Sequence, residues 1–271
     1  MIKLTMNKNS LLQTTHFFST TVADLLSKKG GAHVWLRGIG NMVKSKMNLE
    51  IIRKDLVDFK KHLPTGNVLD FGCGSGFNSL LLADDGYDVT AVDLNSYNKY
   101  EKSEYNRTMT EDQIDLWNTL KQKYSNLNFL HYEDKLTYDD NSFDAVFAYA
   151  VLEHVPDALI PTVLAEIKRV LKPKGKLFMS RLPRKLSISE YIANRLHLDA
   201  HEKLYWDKEA MEVLNKAGFE IKEKSYLEIL PAYPENITNT LFPILKTLDN
   251  ILSVTPLKYF SHHLRLVSEK I

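Results

Sequence analysis

Three glycines at alternate positions lie between two short apolar runs. The turn Gly72-x-Gly74-x-Gly76 follows residues 67–71 and precedes residues 77–83. A strand, a glycine turn and a helix in this order let a ligand approach the backbone closely and meet the unpaired N–H groups of the helix. Asp93 lies 21 residues after Gly72, at the end of a second predicted strand, 87–92. A carboxylate there suits the two hydroxyls of a ribose, so the sequence predicts a ligand that contains a nucleoside.

The glycine spacing separates two kinds of nucleoside cofactor. The dinucleotide fingerprint G-x-G-x-x-G requires its third glycine where this chain has Phe77. The departure favours a smaller, phosphate-free ligand over a pyrophosphate. Two alternatives stay open at this point: a NAD(P)-dependent oxidoreductase, and a module that binds its cofactor without catalysis, because a binding site does not establish turnover.

The elements that position these residues alternate between strand and helix. Strands are predicted at 67–71, 87–92, 127–132, 143–149, 176–180, 219–229 and 264–267, and helices at 44–62, 77–83, 110–124, 158–171 and 207–217. Such alternation predicts an α/β fold with a mostly parallel sheet covered on both faces. We expect a helical N-terminal lid at 1–62, a main domain at 63–271, and helical insertions after strands five and six, at about 181–206 and 231–258.

Composition excludes several classes of protein. The 271 residues are 44% hydrophobic, carry a formal net charge of +1 and include a single cysteine. One cysteine argues against a secreted disulfide scaffold, and the longest apolar run, 145–152, is too short to span a bilayer. We therefore expect a cytoplasmic protein. The small net charge and an acidic central region offer little surface for phosphates, so no nucleic-acid partner is expected.

Five motifs stand in a characteristic order: VLDFGCGSG at 68–76, VTAVD at 89–93, NSFD at 141–144, LEHVPD at 152–157 and LKPKG at 171–175. Over roughly residues 60–230 the chain resembles the class I (type 11) S-adenosylmethionine-dependent methyltransferases, in the branch that includes the ubiquinone-biosynthesis enzymes. The resemblance implies a doubly wound, Rossmann-like sheet of seven strands, the last antiparallel. It also implies S-adenosylmethionine as cofactor and methyl transfer to a small-molecule or lipid-linked acceptor, at oxygen in preference to nitrogen or carbon.

The same resemblance assigns cofactor-binding residues. Those implied at the methionine part are Asp70, Gly72, Cys73, Gly74 and Gly76; Asp93 is implied at the ribose, Leu94 at the adenine, and Ala148 and Tyr149 at the sulfonium. Tyr132 stands where the family often has an acidic residue near the adenine amine, so Glu133 takes that role after a one-residue adjustment, or Asp134 does. Arg37 either grips a carboxylate of the cofactor or substrate, or stacks on Trp35 at the surface.

His154 follows the fourth predicted strand, next to Glu153, and is the candidate catalytic residue. It either removes a proton from the acceptor or begins a helix through backbone hydrogen bonds. In the quinone O-methyltransferases this pair is accompanied by a Glu three residues earlier, where this chain has Ala150. His197 and His201 would share the face of a helix but have no third ligand at defined spacing, so the sequence predicts no metal site.

Apolar residues at helical spacing precede the final predicted strand: Phe242, Leu245, Leu248, Ile251 and Leu252. An amphipathic helix of this kind packs on its own protein, covers an apolar substrate, or makes a weak contact with a membrane surface. The sequence makes no prediction of oligomeric state.

Overall fold

The computed structural model describes residues 8–29, 33–94, 104–133, 135–195, 201, 203–232 and 234–271. The chain divides into two compact units, Met1–Thr137 and Tyr138–Ile271. Three strands of the first unit and four of the second belong to one seven-stranded sheet. This sheet confirms the predicted α/β class. No helix among the described residues is long and apolar enough to cross a membrane.

The first unit contains three parallel strands, β1 (Asn67–Phe71), β2 (Asp88–Leu94) and β3 (Leu127–Tyr132). The central strand β2 pairs with β1 on one side and β3 on the other. Four of the five residues of β1 are buried, as expected for a strand covered on both faces. The carboxyl ends of β1 and β2 therefore lie side by side, where the glycine turn and Asp93 were predicted to meet.

The described helices of the first unit are α1 (Lys8–Lys29), α2 (Val34–Met42), α3 (Lys46–His62), α4 (Phe77–Asp84) and α5 (Glu104–Leu120). Helix α3 begins at Ser45, whose hydroxyl accepts the Asn48 N–H at 3.2 Å. Helix α1 packs on α4, where the Phe18 and Phe77 rings lie 4.9 Å apart. It also meets α5, where Lys29 Nζ lies 2.9 Å from Asp112 Oδ1. Apolar and ionic contacts thus hold α1 to the two helices that follow β1 and β2.

The second unit has four strands, β4 (Phe143–Tyr149), β5 (Leu171–Pro183), β6 (Phe219–Leu227) and β7 (His263–Lys270), in the spatial order β4-β5-β7-β6. Strands β4 and β5 are parallel, whereas β7 runs antiparallel to both β5 and β6. The antiparallel last strand implied by the resemblance is confirmed. Its described helices are α6 (Ile160–Val170), α7 (Ile188–Arg195), α8 (Asp207–Lys216), α9 (Glu235–Thr240) and α10 (Phe242–Leu252), with 3₁₀ turns at Leu152–His154, Asp157–Leu159 and Pro256–Phe260.

Arg184 joins several segments of this unit. Its side chain is 1% exposed, and its Nε donates to Asp207 Oδ1 at 2.8 Å. Its Nη1 donates to the carbonyl oxygens of Tyr259 and Ser261 at 3.0 and 3.1 Å. The guanidinium therefore connects the end of β5, the start of α8 and the segment before β7.

Strand β5 is longer than predicted. The segment 172–175 was assigned to a turn before a strand at 176–180, but β5 begins at Leu171. Leu171 pairs with Phe143, and the register shifts between Phe143 and Ala145. Lys174 adopts a φ of 62°. A bulge absorbs the Pro-Lys-Gly sequence within the strand, which explains why turn-forming residues do not end the pairing.

Candidate active site

Hydrogen bonds join the glycine turn to the end of β2. The N–H groups of Gly72 and Cys73 both donate to the Val92 carbonyl oxygen, at 2.8 and 3.0 Å. Gly76 has a φ of +78°, and a Cβ placed on it would lie 2.5 Å from the Phe129 ring. A side chain at this position would be strained and would clash, so the turn requires glycine there. The glycine thus lets the turn between β1 and α4 pack directly on the Phe129 ring of β3.

Asp93 lies at the end of β2, directly against this turn. Its Oδ2 accepts the Gly74 N–H at 2.5 Å, and its Oδ1 accepts the N–H of Leu94 at 2.7 Å. Burial raises the pKa of Asp93, and these hydrogen bonds partly oppose the shift. Gln113 Nε2 also donates to Oδ2, at 3.4 Å. A carboxylate has about four acceptor positions, so Asp93 keeps about one for a ligand hydroxyl.

Asp70, on β1, is a second carboxyl group beside the turn. It is 1% exposed and accepts the hydroxyl hydrogen of Ser79 at 2.5 Å. Burial, together with the charge of Asp93, raises the pKa of Asp70 to about 7. Two carboxyl groups beside the turn favour a cationic ligand and disfavour an anionic pyrophosphate.

Two residues of α5 that the sequence did not identify hold the turn from the other side. Gln113 Nε2 and Trp117 Nε1 both donate to the Gly74 carbonyl oxygen, at 2.9 and 3.1 Å. His131 Nε2 lies 2.9 Å from Gln113 Oε1, and the Trp117 ring stacks on Phe129 with centroids 5.1 Å apart. The i,i+4 spacing of Gln113 and Trp117 places them on one helix face, but nothing in the sequence connects that face with the turn.

The other predicted cofactor residues of the first unit have different environments. Cys73 is buried, and burial raises the pKa of its thiol well above the usual value, so the thiol stays protonated. Leu94 is half-buried at the end of β2, and Glu133 is exposed just after β3. Arg37 is exposed on α2. Asp134, the alternative to Glu133, lies outside the described residues.

In the second unit, the end of β4 carries the predicted Ala148, which is buried, and Tyr149, which is half-buried. Arg181 Nη1 donates to the Tyr149 hydroxyl at 3.1 Å, and Arg181 Nη2 donates to Glu228 Oε2 at 3.2 Å. Ala150 and Arg181 have φ values of 55° and 61°, in the left-handed region. Strained non-glycine residues at the carboxyl ends of β4 and β5 are typical of functional sites.

Glu153 and His154 lie in the 3₁₀ turn after β4. Glu153 is buried, and neither of its carboxylate oxygens has a hydrogen-bond partner among the residues that the structure describes. Burial raises the pKa of this group to about 7. His154 is exposed, and its backbone N–H donates to Val151 O at 3.0 Å. Partial loss of water and the charge of His201 lower the pKa of His154 below 6.5. Its imidazole is therefore neutral at physiological pH, the form that accepts a proton.

A group of histidines and acids lies elsewhere in this unit: His201, His262, His263, Glu190 and Glu228. His201 Nδ1 and His262 Nε2 each lie 2.6 Å from Glu190 Oε1. His201 is in no helix, contrary to the arrangement considered for His197 and His201, and His197 lies outside the described residues. The sequence did not indicate this group because its members are far apart along the chain.

Comparisons with known proteins identify the fold and the family. A family model described as "Methyltransferase domain" matches residues 69–179. Curated relatives are the ubiquinone biosynthesis O-methyltransferases of Rickettsia akari (27% identical, covering 68% of this chain and 71% of the relative) and Coxiella burnetii (30%, covering 63% and 69%). That of Xanthomonas oryzae pv. oryzae is 34% identical, covering 56% of this chain and 61% of the relative.

Solved structures share the fold. The 1,6-didemethyltoxoflavin-N1-methyltransferase of Burkholderia thailandensis has a TM-score of 0.56 at 18% identity, over 94% of this chain and 89% of that chain. A methyltransferase of Aquifex aeolicus has a TM-score of 0.54 at 17% identity, over 84% and 95%.

The sheet and the glycine turn define a nucleoside-binding class I fold. The chain belongs to the class I S-adenosylmethionine-dependent methyltransferases. The protein is accordingly an enzyme with S-adenosylmethionine as its cofactor, and the oxidoreductase and the non-catalytic module are not favoured.

The residues of the first unit fit this cofactor. S-adenosylmethionine carries a ribose diol, for which Asp93 keeps acceptor capacity. It also carries a sulfonium and an ammonium group, which suit a turn flanked by Asp70 and Asp93. The left-handed glycines leave the backbone free of side chains where the ligand would approach.

Proposed function

We propose that the enzyme transfers a methyl group from S-adenosylmethionine to a hydroxyl oxygen of a small, apolar or lipid-linked molecule. The observation that carries the proposal is the pair of carboxyl groups, Asp70 and Asp93, beside a glycine turn. The Gly74 N–H of this turn donates to Asp93 Oδ2 at 2.5 Å. The choice of oxygen is supported by the names of the relatives, which are O-methyltransferases of ubiquinone biosynthesis.

The proposed cofactor contacts follow from the environment of each group. Bound S-adenosylmethionine supplies a methyl group activated by its sulfonium. Asp93 accepts a hydrogen bond from a ribose hydroxyl, and Leu94 packs beside the adenine. Asp70 and the turn residues Gly72, Cys73, Gly74 and Gly76 face the methionine part. The roles of Arg37, Glu133, Ala148 and Tyr149 stay predictions from the resemblance.

His154 is proposed as the general base. Methylation of a hydroxyl forms a carbon–oxygen bond, breaks the carbon–sulfur bond and releases the hydroxyl proton. A neutral imidazole accepts that proton, and the lowered pKa of His154 keeps it neutral near pH 7. Positioning of the hydroxyl in a dry site supplies the rest of the acceleration.

The apolar character of the acceptor is supported by the surface of the second unit. Three aliphatic side chains of α10 are largely exposed: Ile244 (60%), Leu248 (44%) and Ile251 (54%). Tyr191 and Ile192 of α7 are exposed as well. Exposed apolar residues on consecutive helical turns suit contact with an apolar acceptor or with the surface of a membrane that contains it.

The segments outside the core keep their proposed roles. The helices within 1–62 are a proposed lid, supported by the packing of α1 on α4 and α5, which flank the cofactor residues of the first unit. The segments 181–206 and 231–258 are proposed insertions that shape the acceptor pocket. No nucleic-acid partner is proposed.

Cofactor binding is tested by calorimetric titration of S-adenosylhomocysteine, which binds without reacting. We expect micromolar binding by the wild type and a loss of about 10- to 100-fold in Asp93→Ala, which corresponds to about 1.4–2.8 kcal/mol. Asp88→Ala, at the exposed start of the same strand, is the matched control and keeps wild-type affinity. Binding of NADH in place of S-adenosylhomocysteine, or equal affinity in Asp93→Ala, would contradict the proposal.

Methyl transfer is tested with a dihydroxyphenol that carries a short prenyl chain, with mass spectrometry of the product. We expect an O-methylated product and a kcat at least about 100-fold lower in His154→Gln, with the cofactor affinity unchanged. His16→Gln, an exposed substitution on α1, is the control. A wild-type kcat in His154→Gln would refute the assignment of His154 as the general base. Methylation at carbon alone would refute the choice of oxygen.

A further inference from the structure

Three histidines of the second unit converge although no step of the proposed methyl transfer uses them. His201 precedes α8, His262 precedes β7, and His263 is the first residue of β7. One ring nitrogen from each lies within 4.8 Å of the other two. We call these three residues the histidine cluster.

Carboxylates border the histidine cluster on two sides. Glu190 Oε1 lies 2.6 Å from both His201 Nδ1 and His262 Nε2. Glu228 Oε2 lies 3.4 Å from His263 Nδ1. His201 and His262 each give one ring nitrogen to Glu190 and keep the other for a ligand, and the carboxylate fixes the orientation of both rings. Histidines that bind metal ions have this arrangement as a rule.

Buried polar atoms without partners supply an independent indication of a ligand. His263 and Glu228 have side chains that are 2% and 4% exposed. Within the described part of the chain, His263 Nδ1 and Glu228 Oε1 have no hydrogen-bond partner, since the 3.4 Å contact of Nδ1 with Glu228 Oε2 is not a hydrogen bond. Buried polar atoms in proteins are satisfied by hydrogen bonds, by water or by an ion, so these two atoms indicate a missing partner.

The charges around the cluster suit a cation. Glu190 and Glu228 are two buried or half-buried carboxylates, and Arg181, which donates to Glu228 Oε2 at 3.2 Å, supplies one positive charge against them. The buried Glu153 is a further acid whose charge interacts with His201. A divalent ion bound by the histidines would lie next to both carboxylates, which favours its positive charge.

We propose that His201, His262 and His263 bind one divalent transition-metal ion, Zn²⁺ in preference to others. Three imidazole nitrogens are a typical ligand set for Zn²⁺, and a carboxylate oxygen or a water molecule completes the tetrahedron. Ligand nitrogens about 2.0–2.1 Å from the ion lie about 3.3 Å from one another. The cluster, within 4.8 Å, reaches that geometry by small side-chain movements.

This site differs from the Glu153–His154 pair, which the sequence analysis considered as a catalytic site. Its ligands come from the segment before α8 and from the start of β7, and none of them belongs to the motif after β4. A bound ion would join His201 to the start of β7. The proposed ligands and the proposed general base are different residues, so either proposal can fail without the other.

The test is a titration of purified protein, stripped with a chelator, with Zn²⁺ in the presence of a competing indicator. We expect one equivalent to bind to the wild type with submicromolar affinity. His201→Gln and His262→Gln each weaken binding by about 100-fold or more, because each removes a ligand. Their side chains are 31% and 23% exposed, so both variants are expected to fold, which circular dichroism checks.

His16→Gln and His154→Gln are the matched controls and keep wild-type affinity for Zn²⁺. Replacement of Zn²⁺ by Co²⁺ gives visible absorption bands of a four-coordinate ion in the wild type, and these bands are lost in both cluster variants. The proposal is refuted if the wild type binds no Zn²⁺ or if the cluster variants bind it as the wild type does. It is also refuted if His154→Gln alone abolishes binding.

Discussion

Asp70 makes the stability of this protein depend on pH in an unusual direction. The pKa of Asp70 is about 7 in the folded chain, against 3.8 for an ordinary aspartate. Between these pH values the folded protein holds a proton that the unfolded chain has released. The free energy of unfolding therefore falls as the pH rises through this window.

The magnitude follows from the size of the shift. About three pH units at about 1.4 kcal/mol per unit give about 4 kcal/mol. The substitution Asp70→Asn removes the titration, and the amide resembles the protonated carboxyl, which accepts the Ser79 hydroxyl hydrogen at 2.5 Å. We expect the variant to match the wild type near pH 4 and to exceed its free energy of unfolding by up to about 4 kcal/mol at pH 8.

The assay is urea unfolding, followed by tryptophan fluorescence at intervals from pH 4 to pH 8. Subtraction of the two curves at each pH cancels the other titrating groups, including Glu153, whose pKa is also raised. Asp88→Asn is the matched control because its side chain is exposed at the start of β2. Its difference from the wild type should not vary with pH.

A pH-independent difference for Asp70→Asn would refute the reasoning. So would a difference that grows in favour of the wild type as the pH rises, because that sign belongs to an aspartate stabilised in its charged form.

Three further substitutions test other contacts. Gly76→Ala should lower the free energy of unfolding by about 2 kcal/mol or more, because φ is +78° and a Cβ would lie 2.5 Å from the Phe129 ring. Urea denaturation measures this change, and unchanged stability would contradict the prediction. Arg184→Lys should lower the free energy of unfolding by about 3 kcal/mol, because an ammonium cannot reproduce the hydrogen bonds of the guanidinium to a carboxylate and two carbonyl oxygens. A loss below about 1 kcal/mol in the same measurement would show that these hydrogen bonds do not stabilise the second unit. Trp117→Phe keeps the ring stack but loses the 3.1 Å hydrogen bond to Gly74. Calorimetry should therefore show about 5-fold weaker binding of S-adenosylhomocysteine, a loss of about 1 kcal/mol. Equal affinity would show that α5 does not support the turn.

Local patterns predicted most of the fold. Strands β1, β3 and β4 have the bounds read from the sequence, because each is a short segment rich in apolar and aromatic residues that ends at polar or turn-forming residues. Strand β5 was predicted too short because turn-forming residues lie inside it, at a bulge that depends on pairing with β4. Helix α5 was predicted at 110–124 but begins at Glu104 and ends at Leu120.

In the candidate site, too, the sequence predicted local features and missed long-range contacts. Asp70, the glycine turn and Asp93 were identified because their chemistry is local and their spacing is fixed by one strand–turn–helix unit. Gln113 and Trp117 were missed because their contact with Gly74 joins positions about 40 residues apart, which no periodicity reveals. The burial of Glu153 was missed because it depends on tertiary packing.

The position of β7 has a consequence for the order in which the protein folds. Strand β6 is made before β7 but reaches the rest of the sheet only through it, because β7 lies between β5 and β6. During synthesis, β6 therefore has no strand partner until residues 263–270 have left the ribosome. Its unpaired edge is exposed in that interval, as is that of β5. The second unit depends on late, long-range pairing, which makes slow folding and chaperone assistance expected features of its biogenesis.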